Sequence, residues 1–141
     1  PKEYNAIVSS ANLESIILVN SKFEMKQEYL SSSEDERKFG FAIDDIDVAY
    51  SAIDGMAVGK YDWRLWVSVG RKHLIKIECE YIATYSGLMA KNPDAVKLFL
   101  YKVGRVATYP YFRNKVSQLS WESAAQLPIL PTISAGSIDK D

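Results

Sequence analysis

Between Tyr61 and Tyr85, apolar side chains occupy nearly every second position. Tyr61, Trp63, Leu65, Val67 and Val69 alternate with Asp62, Arg64, Trp66 and Ser68. After a short turn at Gly70-Arg71-Lys72-His73, Ile75, Ile77, Cys79, Tyr81, Ala83 and Tyr85 alternate with Lys76, Glu78, Glu80, Ile82 and Thr84. Successive side chains of a strand point to opposite faces, so each run is a strand with one buried and one wet face. The short turn makes the pair antiparallel.

Two further strands precede this pair. Leu13 to Met25 is dense in apolar residues, and β-branched residues dominate its centre. Ser31 to Lys38 contains no apolar residue and reads as a loop. Phe39, Phe41 and Ile43 then alternate strictly, but the phase changes before Ile46, Val48 and Tyr50. One extra residue near Asp44-Asp45, a β-bulge, restores the inward phase. Asp54-Gly55 closes a turn. Antiparallel strands are expected at 13–25, 39–53, 56–70 and 73–86, with Trp63, Leu65, Val67, Ile75, Ile77 and Tyr81 inward. Four strands with short connections make a meander.

The pattern then becomes helical. Asn92-Pro93-Asp94 supplies a cap, a first-turn proline and a first-turn acid. Val96, Phe99, Val103 and Val106 form one stripe, and Leu98 and Tyr101 begin another. The helix runs to about Trp121, with a kink or break expected at Tyr109-Pro110. It is apolar on more sides than one sheet can cover, so its second face needs another chain or a client. Leu127-Pro128-Ile129-Leu130-Pro131-Thr132-Ile133 follows as extended chain, because its prolines forbid a helix. Residues 1–12 and 134–141 are expected to be flexible ends of a single domain spanning 1–141.

A chain of 141 residues buries enough surface to fold without disulfides or metal. The single cysteine excludes an internal disulfide and suits a reducing cytosol, and no leader pattern is present, so a cytoplasmic location is expected. No apolar run approaches the ~20 residues that span a bilayer. The net charge of −1 lacks the basic excess of a nucleic-acid binder. Charge is nevertheless segregated. Residues 34–54 carry seven acids against Arg37 and Lys38, and residues 91–115 carry six bases against Asp94. Two solvated faces, or one segment docking on the other within or between subunits, both fit.

Enzyme chemistry finds little support. His73 is the only histidine and falls in a charged turn, and Cys79 sits in strand alternation as a buried thiol would. No glycine-rich phosphate loop is present. Glu78 and Glu80 share a strand face about 7 Å apart, where a solvated face explains them as well as acid–base work does. No catalytic residue, metal or cofactor is expected. What remains is Tyr109-Pro110-Tyr111-Phe112-Arg113 followed by the proline-rich segment. These residues form either core or an exposed apolar groove.

Those two segments resemble the signature of the SecB chaperones, in which an aromatic-Pro-Tyr-x-Arg stretch of the long helix precedes a proline-rich aliphatic loop. Cys79-Glu80-Tyr81 and Ile82-Ala83-Thr84-Tyr85 look like that family's last strand. The resemblance covers roughly residues 13–133. It implies an α+β fold: a four-stranded antiparallel sheet followed by a long kinked helix. It also implies an ATP-independent chaperone that binds unfolded or nascent polypeptides in hydrophobic grooves. Tyr109, Tyr111, Phe112, Leu127, Ile129, Leu130 and Ile133 would line the client groove. The chain would form a homotetramer, a dimer of dimers, with Leu98, Tyr101 and Ile82 between subunits.

The family serves either the SecA export motor or the antitoxin of a toxin–antitoxin–chaperone system. Docking to SecA would use Glu24 and Glu80. Asn20 stands where the family pattern has an acid, and Glu78 stands where it has an apolar residue. The sequence shows no amphipathic second helix after the loop, as expected either of a piece of a longer chain or of a protein that lacks that helix. SecA binding is therefore expected to be weak, with a dedicated client such as an antitoxin preferred. A small-molecule-binding protein or enzyme using the same aromatic groove is the competing reading.

Overall fold

A computed structural model of the chain describes residues 2–89 and 92–133, and all but the side chain of Asp45 among them. The elements in order are α1 (Lys2–Ser10), β1 (Asn12–Met25), α2 (Glu28–Ser31), a 3₁₀ turn (Glu34–Glu36), β2 (Arg37–Ser51), β3 (Met56–Val69), β4 (Lys72–Ser86) and α3 (Pro93–Ser123). The four strands fall where the alternation placed them, within two residues at each end. Trp63, Leu65, Val67, Ile75, Ile77 and Tyr81 are all buried. The break in phase is real: Ile43 pairs with Trp63 and Ile46 with Tyr61, so Asp44 and Asp45 together oppose Asp62.

Two expectations are corrected. All strand pairs are antiparallel, but the order is β1-β4-β3-β2. Only β2-β3-β4 is a meander; β1 and β2 lie at opposite edges, and residues 26–36 cross the end of the sheet. Hydrophobic alternation fixes which face of a strand is buried and says nothing about its neighbours. The crossover is held by Arg37. Its guanidinium lies 3.9 Å from the centre of the Tyr29 ring and donates to the Tyr29 and Ser32 carbonyls at 3.0 and 3.1 Å. The N-terminal residues, expected to be flexible, instead form α1, which packs on α3 through buried Ile7. The expected tail, residues 134–141, lies outside the described residues.

Helix α3 lies over β3, β2 and β4 and leaves the inner face of β1 partly open: Leu18 and Phe23 are 42% and 37% exposed. The Asn92 side chain caps α3 by accepting from Asp94 N at 3.0 Å. The helix passes through Pro110 without the expected break, and Pro110 itself is exposed. Its buried side is aromatic. Trp63 stacks on Phe112 at 5.7 Å, and Tyr109 lies 5.2 Å from Trp63 and 5.8 Å from Phe41. The Trp63 indole donates to Thr108 Oγ1 at 2.9 Å, and that hydroxyl donates to the Gly104 carbonyl at 2.8 Å.

The helix ends at Ala124, whose φ of 55° is in the left-handed region. A side chain with a Cβ is strained there, whereas glycine is not. Ala124→Gly should therefore raise stability by about 0.5–1 kcal/mol. Thermal melting checks this; a lowered melting temperature would show that the Ala124 methyl makes contacts worth more than the backbone strain.

Candidate client groove

The chain reverses direction at Ala124 and Gln126, the only non-glycine residues with positive φ among those described. Four bonds hold the reversal. The Ala125 amide donates to the Ser120 carbonyl at 3.2 Å, and the Leu127 amide to Ser120 Oγ at 2.8 Å. Tyr29 Oη donates to the Ala125 carbonyl at 2.5 Å, and Tyr109 Oη to the Pro131 carbonyl. The returning segment is thereby pinned against the helix although its prolines exclude regular structure. It does not close on the helix completely. A cavity of about 500 Å³ remains, walled by Val116, Ser117, Ser120 and Trp121 on one side and Gln126, Leu127, Pro128 and Ile129 on the other. Trp121 and Ile129 are 87% and 82% exposed. Two large apolar side chains so open to water on facing walls can contribute by being covered.

The seven residues expected to line a groove separate into three groups. Tyr109 and Phe112 on α3 and Leu130 on the returning segment are buried in the core of the chain. Leu127 and Ile129 line the cavity, with Ile133 partly buried against the core. Tyr111 is half exposed on the other flank of α3, 6.3 Å from Tyr81, which is the register partner of Leu18. Residues 109–113 are helical, and helical spacing turns Tyr109 and Phe112 inward and Tyr111 outward. Trp121 was missed as a groove residue; its place between Ser120 and Glu122, at the polar end of the helix, was the available signal.

Ile82, Leu98 and Tyr101 do not form one surface. Leu98 and Tyr101 are exposed on α3, while Ile82 is paired with Ile17 and Lys60 on the opposite face of the sheet. Glu24 and Glu80 do share that outer face, on β1 and β4. Glu80 is not a free charge, since Lys60 Nζ lies 3.5 Å from it. Arg64 binds Asp44 and Glu78 at 2.9 Å each and Asp62 at 3.4 Å. The acids of the sheet centre are thus largely satisfied by bases of the same sheet, which lowers their attraction for a basic partner.

Asp62, Glu78 and Glu80 crowd within 4.8 Å of one another. Burial, then the charge of Glu78, raises the Asp62 carboxyl above its ordinary value of 3.8, and Arg64 opposes this. Folded Asp62 therefore keeps its proton at pH values where the unfolded residue has lost it. The folded state binds more protons there, so this contribution to stability is present below 3.8 and is lost as pH rises through the raised value. Asp62→Asn should melt higher than the parent at neutral pH and show a flatter dependence between pH 4 and neutrality, read by melting curves across about pH 4–7. Equal slopes would mean that Arg64 cancels the effect of burial.

The other candidates for chemistry sit as structural groups. His73 stacks on Trp66 at 6.2 Å, and burial pushes the Cys79 thiol up, away from the reactive thiolate. No helix among the described residues is long and apolar enough to cross a membrane.

No protein-family model and no curated protein matches the chain. Among solved structures, the chain is similar in fold to the SecB-like chaperone of Mycobacterium tuberculosis, solved in complex with a ChAD peptide from the HigA1 antitoxin. The likeness has a TM-score of 0.77 at 15% identity and covers 95% of this chain and 98% of the other. The architecture is therefore SecB-like α+β, an antiparallel sheet followed by a long helix.

Proposed function

We propose that the protein is an ATP-independent molecular chaperone that holds extended apolar segments of unfolded or nascent polypeptides. The observation that carries this reading is the groove at the end of α3, where Trp121 and Ile129 stand almost fully in water above Val116 and Leu127. A fold shared with a chaperone bound to an antitoxin peptide supports the same reading. It also favours a dedicated client of the antitoxin kind. The internal pairing of the sheet acids argues against the export motor SecA as a strong partner.

The mechanism follows from non-directional burial. An extended client strand laid in the groove removes the Trp121 and Ile129 side chains and its own apolar groups from water, at ~25 cal/mol per Å². Ordering the strand offsets much of that gain. Several such segments on one assembly recover affinity through effective concentration. Sequence tolerance results because burial asks only for apolar area.

The test is suppression of aggregation. A denatured protein diluted into a near-equimolar amount of the chaperone, without nucleotide, should stay soluble. Unchanged aggregation, together with binding of a compact small molecule in the groove, would favour the pocket reading instead.

A further inference from the structure

The face of the sheet turned away from α3 carries an aromatic patch that the client groove does not use. Trp66 stands on β3 between Gly40 of β2 and Lys76 of β4, its register partners on either side. The indole lies down over Gly40: a Cβ added there would come 2.6 Å from its Cζ2 and 2.9 Å from its Cε2. Gly40 is thus the floor on which the ring rests, and a larger residue would push the ring off it. His73, near the start of β4, holds its ring almost parallel to the indole, at 14° with the centres 6.2 Å apart. Both rings line a cavity of about 410 Å³, together with Lys76, Asp44, Arg64 and Glu78. That volume lies within the range of small-molecule sites.

The charges of the lining are not equally satisfied. Arg64 Nη2 is shared among Asp44, Glu78 and Asp62, so the acids are answered within the sheet. The Lys76 ammonium is exposed and has no ion-pair or hydrogen-bond partner among the described residues. It stands directly across the β3–β4 pair from the indole. An indole plane takes a flat ring by offset stacking, and an unpaired ammonium takes a carboxylate or phosphate as a point charge. A cationic ligand would meet Lys76 and Arg64 with the acids already engaged. An uncharged one would leave the ammonium unanswered.

We propose that this cavity binds a small planar aromatic molecule bearing one anionic group, its ring stacked on Trp66 and its carboxylate or phosphate on Lys76. The glycine at position 40 then has a purpose beyond strand pairing, because it fixes the indole before the ligand arrives and so lowers the cost of ordering it. The site lies on the opposite side of the sheet from the groove at the end of α3, so the aromatic anion and an extended client occupy the protein independently.

Titration of the full chain with naphthoate, followed by NMR through the ligand's own resonances and the Trp66 indole N–H, tests the site. Saturable binding is expected, about tenfold or more tighter than that of naphthamide, which keeps the ring and lacks the charge. Cyclohexanecarboxylate, which keeps the charge and lacks the flat ring, should bind as weakly as naphthamide. A parallel titration with adenosine monophosphate shows whether a phosphate serves better than a carboxylate. Lys76→Met, at an exposed position, should keep the parent's melting temperature and weaken naphthoate about tenfold. Gly40→Ala changes no charge and should also weaken it, by lifting the indole. Trp66→Leu should abolish saturable binding; if it fails to fold, Lys76→Met carries the test alone. Absence of saturable binding by both anionic probes, equal affinity for naphthoate and naphthamide, or an affinity lost in Trp121→Ala and kept in Lys76→Met would overturn the assignment.

Discussion

Gly104→Ala should lower stability by about 3 kcal/mol and the melting temperature by roughly 10 °C. Gly104 lies at the closest approach of α3 to the sheet, directly over Tyr61. A Cβ added there would overlap the Tyr61 hydroxyl and ring. Tyr61 cannot move away. It is fully buried, its hydroxyl donates to the Leu100 carbonyl at 2.5 Å, and Gly59 leaves room for its ring on the other side. Burial also pushes the Tyr61 phenol far up, so the ring stays neutral and keeps its proton for that bond. Either the helix lifts off the strand or the ring leaves its slot, and both uncover core. Tyr61→Phe alone should lose about 1 kcal/mol with the hydroxyl. Combined with Gly104→Ala it should lose less than the sum, because the hydroxyl is part of the clash. Additive losses would mean that the helix is held off the sheet by other contacts.

The second large effect separates two adjacent residues. Leu130→Ser should cost about 2–5 kcal/mol of stability, since Leu130 packs from the returning segment into the core and the change leaves a cavity and a polar group there. Ile129→Ser should leave melting nearly unchanged and remove about 1.5–3 kcal/mol from client binding, a loss of roughly tenfold or more in affinity. Trp121→Ala should act like Ile129→Ser, with a larger loss because more area is involved. Client titrations beside melting curves give both readings. A destabilised Ile129→Ser protein, or unchanged affinity in both groove variants, would place the client elsewhere, with the half-exposed strip of Tyr111, Leu18 and Phe23 next in line.

The sheet was legible because Trp63, Leu65 and Val67, and then Ile75, Ile77 and Tyr81, state their faces through a period of two. Even the bulge at Asp44-Asp45 left its mark as a change of phase. The order of the strands was not legible. The connection from β1 to β2 is fixed by Tyr29 and Arg37, one apolar and one charged residue in a polar stretch, whose cooperation depends on contacts with Ala125 and Ser32 rather than on periodicity. Of the residues expected to line a groove, Leu127 and Ile129 border the cavity at the end of α3, whereas Tyr109, Phe112 and Leu130 are buried. Composition marked Tyr109, Phe112 and Leu130 as apolar and near prolines, and three-dimensional packing decided that they face the core. Pro110 misled because a proline in a helix removes one donor without ending the helix when neighbouring contacts such as Trp63–Phe112 hold both halves in place. Trp121 carried no periodic signal, only its polar neighbours Ser120 and Glu122; its place beside the cavity comes from the left-handed turn at Ala124, which folds Leu127–Ile129 back beside it.

The central claim, that clients are held in the groove at the end of α3, is tested most directly by Trp121 fluorescence. Trp121 is 87% exposed, whereas Trp63 is buried and Trp66 lies on the far face of the sheet. Titration with an extended apolar peptide should shift the emission to the blue as Trp121 leaves water, with the same midpoint as peptide binding followed by anisotropy, and Trp121→Phe should abolish the shift. Saturable peptide binding by anisotropy with no change in Trp121 emission would contradict the account.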